Sequence, residues 1–255
     1  MYTTQATDQY VLRMDFRVLG PLEVRAEGTV LDLGGRKQRT VLAVLVSNAG
    51  RPVSTDRLIE GVYGDEAGDG ARRSVQTYVS NLRAKIGDLI SPVPSGYELR
   101  LEDSSVDAVE CAAQVDAGRQ LIDDDNPRAS MMLRQALAMW RGHPYADVDA
   151  HTELDAEITR LSELRLVALE SRIDADLALG LDRELVGELE ALTTEYPLRE
   201  SFRYQHMLAL YRAGRQSEAL RAYTKVRERL AEELGVDPSP TLRQLEQRIL
   251  EHDPG

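Results

Sequence analysis

The chain has 255 residues, enough for two domains that each bury a core of their own. Its 42% hydrophobic and 29% charged content is that of a globular protein, a single Cys (Cys111) excludes an internal disulfide, and no apolar run nears the roughly 18 residues that span a bilayer. The net charge of −12 opposes binding to a polyanion unless basic residues cluster locally.

The opening MYTTQATDQYVLRMDF lacks the basic-then-apolar order of a secretory signal, so residues 1–15 read as a disordered extension and the expected compartment is the cytoplasm. Three short runs then read as strands between Gly and Pro punctuation: Phe16 to Leu19, Leu22 to Arg25, and Val30 to Leu33. Past Gly34-Gly35 the period becomes helical. From Gln38, Val41, Leu42, Leu45 and Val46 recur on one face, and Asn48-Ala49-Gly50 closes the helix. Ser54 or Thr55 can cap a second helix over Asp56 to Val62, with Leu58, Ile59 and Val62 inward. Residues 64–70 form a Gly-rich, acidic loop. A third helix spans Ala71 to Ile86. After the turn at Pro92 to Gly96, Tyr97 to Leu101 alternates as a strand. Strand, three helices and a hairpin outline a winged helix.

Beyond Asp107 every periodic segment reads as helix. Gly180 and Gly214 lie 34 residues apart, and at that offset Leu185, Leu189 and Leu192 align with Ala219, Tyr223 and Val226. Pro197 ends the earlier unit, and Ala129, Leu133 and Ala136 form a poorer upstream match. This is the period of tetratricopeptide helical hairpins.

The third helix carries the polar chemistry. At 100° per residue, Val79, Leu82 and Ile86 return to within about 40° of Val75 and form a buried stripe. Arg73, Gln76, Thr77, Ser80, Asn81 and Ala84 fall on the opposite face, which holds no Asp or Glu. Gln, Asn, Thr and Ser can read base edges, and Ala84 permits close approach to a groove floor. Arg72, Arg83 and Lys85 sit on the flanks, suited to phosphates, as do Arg36, Lys37 and Arg39 at the start of the first helix. An ordinary solvated helix face would look similar. The basic groups on both sides, with Gly96-Tyr97 as the wing, favour a DNA reader. Charge agrees locally: residues 36–86 hold 9 Lys/Arg and 5 Asp/Glu, whereas residues 108–255 hold 18 and 28.

Catalytic and metal chemistry find no support. His143, His151, His206 and His252 match no zinc spacing, no G-x-S-x-G elbow or phosphate loop occurs, and Asp123-Asp124-Asp125 before Asn126-Pro127 reads as a turn. No enzyme activity, cofactor or metal is expected. Trp140 lies at helical spacing with Leu133, Ala136 and Leu137 and reads as core.

The segments FRVLGPLEV, GGRKQRTVLAVLVSNAGRPVSTDRLIEGVYGD, SVQTYVSNLRAKIG and SGYELRL resemble the OmpR-type winged helix of the Streptomyces antibiotic regulatory protein family. ALAMWRGHPYADV and the stretch from EYPLRESFRYQHMLALYRAGRQSEAL to ELGVDPSP resemble that family's bacterial transcriptional activation domain. The resemblance implies a mainly α chain with a small β component: a winged-helix domain over 16–107, then an all-α tetratricopeptide-like domain over 108–255. It further implies a DNA-binding activator of the small stand-alone form, with no receiver or NTPase module. The expected partners are direct repeats near the −35 element, a second protomer beside the first, and RNA polymerase with its sigma factor. The target is a secondary-metabolite gene cluster, and no membrane is involved. By resemblance, Arg73, Gln76, Thr77, Ser80 and Asn81 approach bases, Arg36, Lys37, Arg39, Arg72, Arg83 and Lys85 contact phosphates, and loop 64–70 is the transactivation loop. The alternative reading is a tetratricopeptide adaptor that binds proteins without specific DNA contact.

Overall fold

The computed structural model describes residues 13–149 and 152–252; most of the expected N-terminal extension, and His151, lie outside them. Two compact units emerge, Met1–Ala113 with Ala136–Arg165, and Gln114–Gln135 with Leu166–Gly255. Residues 136–165, expected with the helical half, cluster with the winged helix, because hydrogen bonds described below tie them to it.

The first unit runs β1 (Met14–Arg17), β2 (Glu23–Ala26), β3 (Thr29–Val30), α1 (Arg36–Ser47), β4 (Val53–Ser54), α2 (Thr55–Tyr63), α3 (Ala71–Ile86), β5 (Ile90–Val93), β6 (Gly96–Leu99) and β7 (Ser105–Val106). Strand β1 starts inside the expected extension, because Met14 and Phe16 alternate inward on its buried face. It pairs antiparallel with β2, Phe16 opposite Val24, and parallel with β7, Phe16 opposite Val106, in the order β3-β2-β1-β7. The expected third strand ends early: only Thr29–Val30 pairs with β2, and Leu33 turns in as a core plug. A second sheet, β4-β6-β5, stands beside the helices. Its strands β4 and β5, like β7, escape a sequence reading. They are two to four residues long, and β5 contains Pro92, a residue that argues against a strand.

Helix α3 has the bounds its periodicity predicts, with Gly70 before it and Gly87 after it at φ 68°. Helix α2 is capped by Ser54, whose hydroxyl accepts the Arg57 N–H. Between α2 and α3, loop 64–70 opens with a short 3-10 turn over Gly64–Glu66 and is exposed from Asp65 to Gly70.

A strap from the Trp-Arg-Gly segment completes this unit. The N–H groups of Arg141 and Tyr145 donate to the carbonyls of Leu19 (2.7 Å) and Val18 (3.1 Å), the open end of β1. Asp107, buried, accepts from Val18 N (2.8 Å) and Leu19 N (3.2 Å), with Arg141 3.8 Å away. Burial pushes the Asp107 carboxyl above its usual range, against the pull of those donors. Farther along, Asp147 accepts from Leu22 N (2.7 Å) and from Arg39, the Asp149 carbonyl accepts from Thr40 (3.0 Å), and Glu153 pairs with Arg57 (2.7 Å). Tyr145 fills the space beneath, 2% exposed. Trp140 is half-buried rather than central, with the Arg165 guanidinium 5.7 Å from its ring.

Helices α4 (Asp107–Gln120), α5 (Asn126–Ala138) and α6 (Asp155–Ala178) each contribute residues to both units. The second unit then continues through α7 (Asp182–Glu195), α8 (Glu200–Arg212), α9 (Gln216–Leu234) and α10 (Pro240–Leu250). Gly180 and Gly214 both adopt left-handed backbone, φ 77° and 80°, in the turns before α7 and α9. The aligned trios Leu185, Leu189, Leu192 and Ala219, Tyr223, Val226 are all buried, so the 34-residue offset is a structural repeat. Their core includes Phe202, Met207, Leu210, Leu242 and Ile249. Asp176, fully buried, joins three elements: it accepts from Ser130 (2.6 Å), Arg134 (2.6 Å) and Arg172 (3.1 Å), and Arg172 also holds Glu188.

Candidate nucleic-acid interface

On α3 the inward stripe is Ala71, Val75, Val79, Leu82 and Ile86, all buried, while Arg73, Gln76, Thr77, Ser80, Asn81 and Ala84 are exposed. The helix has no acid in its first turn and two cations, Arg83 and Lys85, in its last, where they complement the helix dipole. Thr77 donates its hydroxyl proton back to the Arg73 carbonyl (3.0 Å), leaving its lone pairs outward. Arg73 makes no ion pair among the described residues.

Asn81 is positioned from α1. Its Nδ2 donates to Gln38 Oε1 (3.1 Å), and Gln38 Nε2 in turn donates to the Leu33 carbonyl (2.9 Å). One N–H and the oxygen of the Asn81 amide remain for a base edge. Gln38 was missed as a site residue because it stood where the first helix was expected to begin. The signal was there: Gln38 falls on the stripe of Val41, Leu42 and Leu45, where an amide needs a partner.

A second cluster joins the three helices at the edge of this face. Lys37 lies 4.0 Å from the Tyr63 ring centroid, and the Tyr63 hydroxyl is close enough to Ser74 and Tyr78 of α3 for their polar groups to act on it. Burial would raise the Tyr63 hydroxyl, but Ser74, Tyr78 and the Lys37 charge together hold it below the usual phenol value. Its partner Tyr78 moves up, through the bond to Tyr63 and then burial.

The expected phosphate contacts divide. Arg39 does not reach outward: its guanidinium, 20% exposed, holds the Leu22 carbonyl and Asp147, so it is an anchor for the strap. Lys85 is likewise held, by the Asp32 carbonyl and carboxylate. Arg36, Arg72 and Arg83 stay on the surface beside Asp149 (3.8 Å), Asp56 (2.5 Å) and Asp88 (3.2 Å). Exposed pairs of this kind contribute only about 0–1 kcal/mol, so a phosphate can displace the carboxylate.

The wing also differs from expectation. Its tip is Pro94-Ser95, while Gly96 and Tyr97 begin β6 and pair with Ser54 and Val53. Glycine is needed at 96 because a Cβ would collide with the Val53 carbonyl and lie 2.8 Å from the Thr55 nitrogen. The hairpin from Ile90 to Leu99 holds no Lys or Arg; its one acid, Glu98, is held by Arg100 (3.0 Å), which leaves Gly96-Tyr97 as the uncharged part of the edge.

Among the described residues no group of His, Cys, Asp and Glu forms a metal site, and no helix is long and apolar enough to cross a membrane. Residues 28–96 match the family described as transcriptional regulatory protein, C terminal, and residues 106–250 match the bacterial transcriptional activator domain. The chain is 39% identical over 250 residues to the transcriptional regulatory protein EmbR of Mycobacterium tuberculosis, covering 95% of this chain and 64% of EmbR. It is 35% identical to the regulatory protein DnrI of Streptomyces peucetius, covering 95% of this chain and 94% of DnrI. A solved structure of Mycobacterium tuberculosis EmbR, in complex with a low-affinity phosphopeptide, superposes with a TM-score of 0.90 at 38% identity, over 96% of this chain and 66% of that one. With both halves matched in order and DnrI matched almost end to end, the chain belongs to the Streptomyces antibiotic regulatory protein family of transcriptional activators.

Proposed function

We propose that the chain activates transcription by laying α3 in the major groove of direct repeats near a promoter −35 element. Two protomers bind side by side and recruit RNA polymerase holoenzyme through its sigma factor. The regulated genes are a secondary-metabolite cluster. The observation that carries the reading is the exposed, acid-free face of α3, backed by buried Gln38 and flanked by the Lys37–Tyr63–Tyr78 cluster. Arg73, Gln76, Thr77, Ser80 and Asn81 read bases. Arg36, Lys37, Arg72 and Arg83 take phosphates, and the neutral edge at Gly96-Tyr97 and the tip beyond it lie along the backbone.

Footprinting on the intergenic regions that adjoin the coding sequence, with and without polymerase, tests this. Two adjacent protected segments about one helical turn apart, strengthened by polymerase, are expected. No protection at any such region, with intact binding to protein partners, would leave an adaptor as the better reading.

A further inference from the structure

Helices α7, α8 and α9 line an open-mouthed cavity of about 410 Å³, within the roughly 300–1,000 Å³ typical of small-molecule sites. Its charge runs against its surroundings. Residues 108–255 hold 18 Lys/Arg and 28 Asp/Glu, yet the walls bring five cations, Arg203, Arg215, Arg221, Lys225 and Arg229, against only Glu190 and Glu218. Arg215 is taken by Glu218 at 2.7 Å and Arg229 by Glu233 at 2.6 Å. Arg203, Arg221 and Lys225 have no carboxylate at ion-pair distance among the described residues.

The placement of these cations is costly to the fold. Arg221, Lys225 and Arg229 stand at successive four-residue steps along one face of α9, a like-charge spacing that destabilises a helix. Opposite them on α8, half-buried Arg203 spends one nitrogen on the carbonyls of Thr193 (2.8 Å) and Pro197 (3.3 Å). Its Nε is buried with no hydrogen-bond partner. Burial and the Arg229 charge both push the Arg203 guanidinium below its usual value. His206, on the same wall, is lowered by burial and by Arg203 and Arg215, against Glu190 and Glu218. A buried donor and repelling charges around one cavity are relieved together by a bound anion.

We propose that this cavity is a binding site for a compact multivalent oxyanion, a small metabolite carrying a diphosphate or two phosphate groups. No Phe, Tyr or Trp lines it, so it offers no stacking platform for a nucleobase. The carboxylates of Glu190 and Glu218 interrupt the basic walls, which suits a compact ligand better than an extended acidic peptide. This reading is independent of DNA binding by α3.

Calorimetry of the full chain with inorganic pyrophosphate tests it, alongside Arg221→Glu and Lys225→Glu, both exposed positions whose folding is checked by circular dichroism. Saturable binding of one pyrophosphate per chain is expected, with a rise in Tm and about tenfold weakening in each variant. Absence of binding, or binding that both variants retain unchanged, overturns the proposal. So does loss of a glutamate-rich peptide or of duplex DNA in these variants while pyrophosphate binding persists, since the cations would then serve a macromolecule.

Discussion

Asn81 shows how a proposed base reader is pre-oriented. Alone, an exposed Asn would sample many rotamers; the bond to Gln38, itself held on the Leu33 carbonyl, orients its amide before DNA arrives. Asn81→Ala is expected to cost about 1–3 kcal/mol on the matched site and little on random DNA. Gln38→Ala is expected to produce part of the same loss, read by competition binding, because it removes the orienting partner. Gly96 makes the opposite point. Gly96→Ala cannot be accommodated without separating β4 from β6, so a drop in thermal stability of several degrees is expected, comparable to an overpacked core at about 1–3 kcal/mol. At this scale the sequence was partly legible. The polar face of α3 followed from spacing alone, whereas Arg39 looked like its neighbours Arg36 and Lys37 and turned out to face inward. Nothing in a run of basic residues says which one meets a carboxylate more than 100 residues away.

Elements with strong local periodicity were read correctly, and those held by distant partners were not. Val75, Val79, Leu82 and Ile86 fixed α3 to the residue, and the glycines 34 residues apart fixed the register of the repeats. Strands β4 and β7 contain two residues each, and their pairing partners lie far along the chain, so no local pattern announces them. The strap has no period at all, since backbone N–H groups, buried Asp107 and partly buried Asp147 hold it. Asp147→Ala strips Leu22 N and Arg39 of their shared acceptor, and a loss of about 1–3 kcal/mol in chemical denaturation is expected. For the same reason a fragment ending at residue 107 is expected to unfold more readily than one that retains the strap. In the repeat unit, Asp176→Ala leaves Arg172, only 4% exposed, short of one counter-charge. Because Glu188 still holds Arg172, the loss is expected to be about 1–3 kcal/mol, measurable as a fall in Tm.

For the whole molecule, the overall charge of −12 conceals the chemistry that matters. Charges farther apart than about 8–10 Å are screened at physiological salt, so a basic island on α1 and α3 can meet phosphates despite an acidic second half. Membership of the activator family was legible from the order of motifs, because helix faces, turn glycines and the Trp-Arg-Gly strap recur as one sequence pattern. The division into compact units was not legible, because it depends on hydrogen bonds that bring residues 136–165 back to the winged helix.

The most direct test of groove reading by α3 is binding of the full chain, and of Asn81→Ala, to a cognate promoter fragment and to random DNA across a range of salt. With Arg39 and Lys85 committed to the fold, four phosphate contacts per protomer give a log–log salt slope of about −4 for each protomer, and Asn81→Ala is expected to weaken only the cognate complex, by about tenfold or more. Salt-insensitive binding, or equal losses on both DNAs, would contradict it.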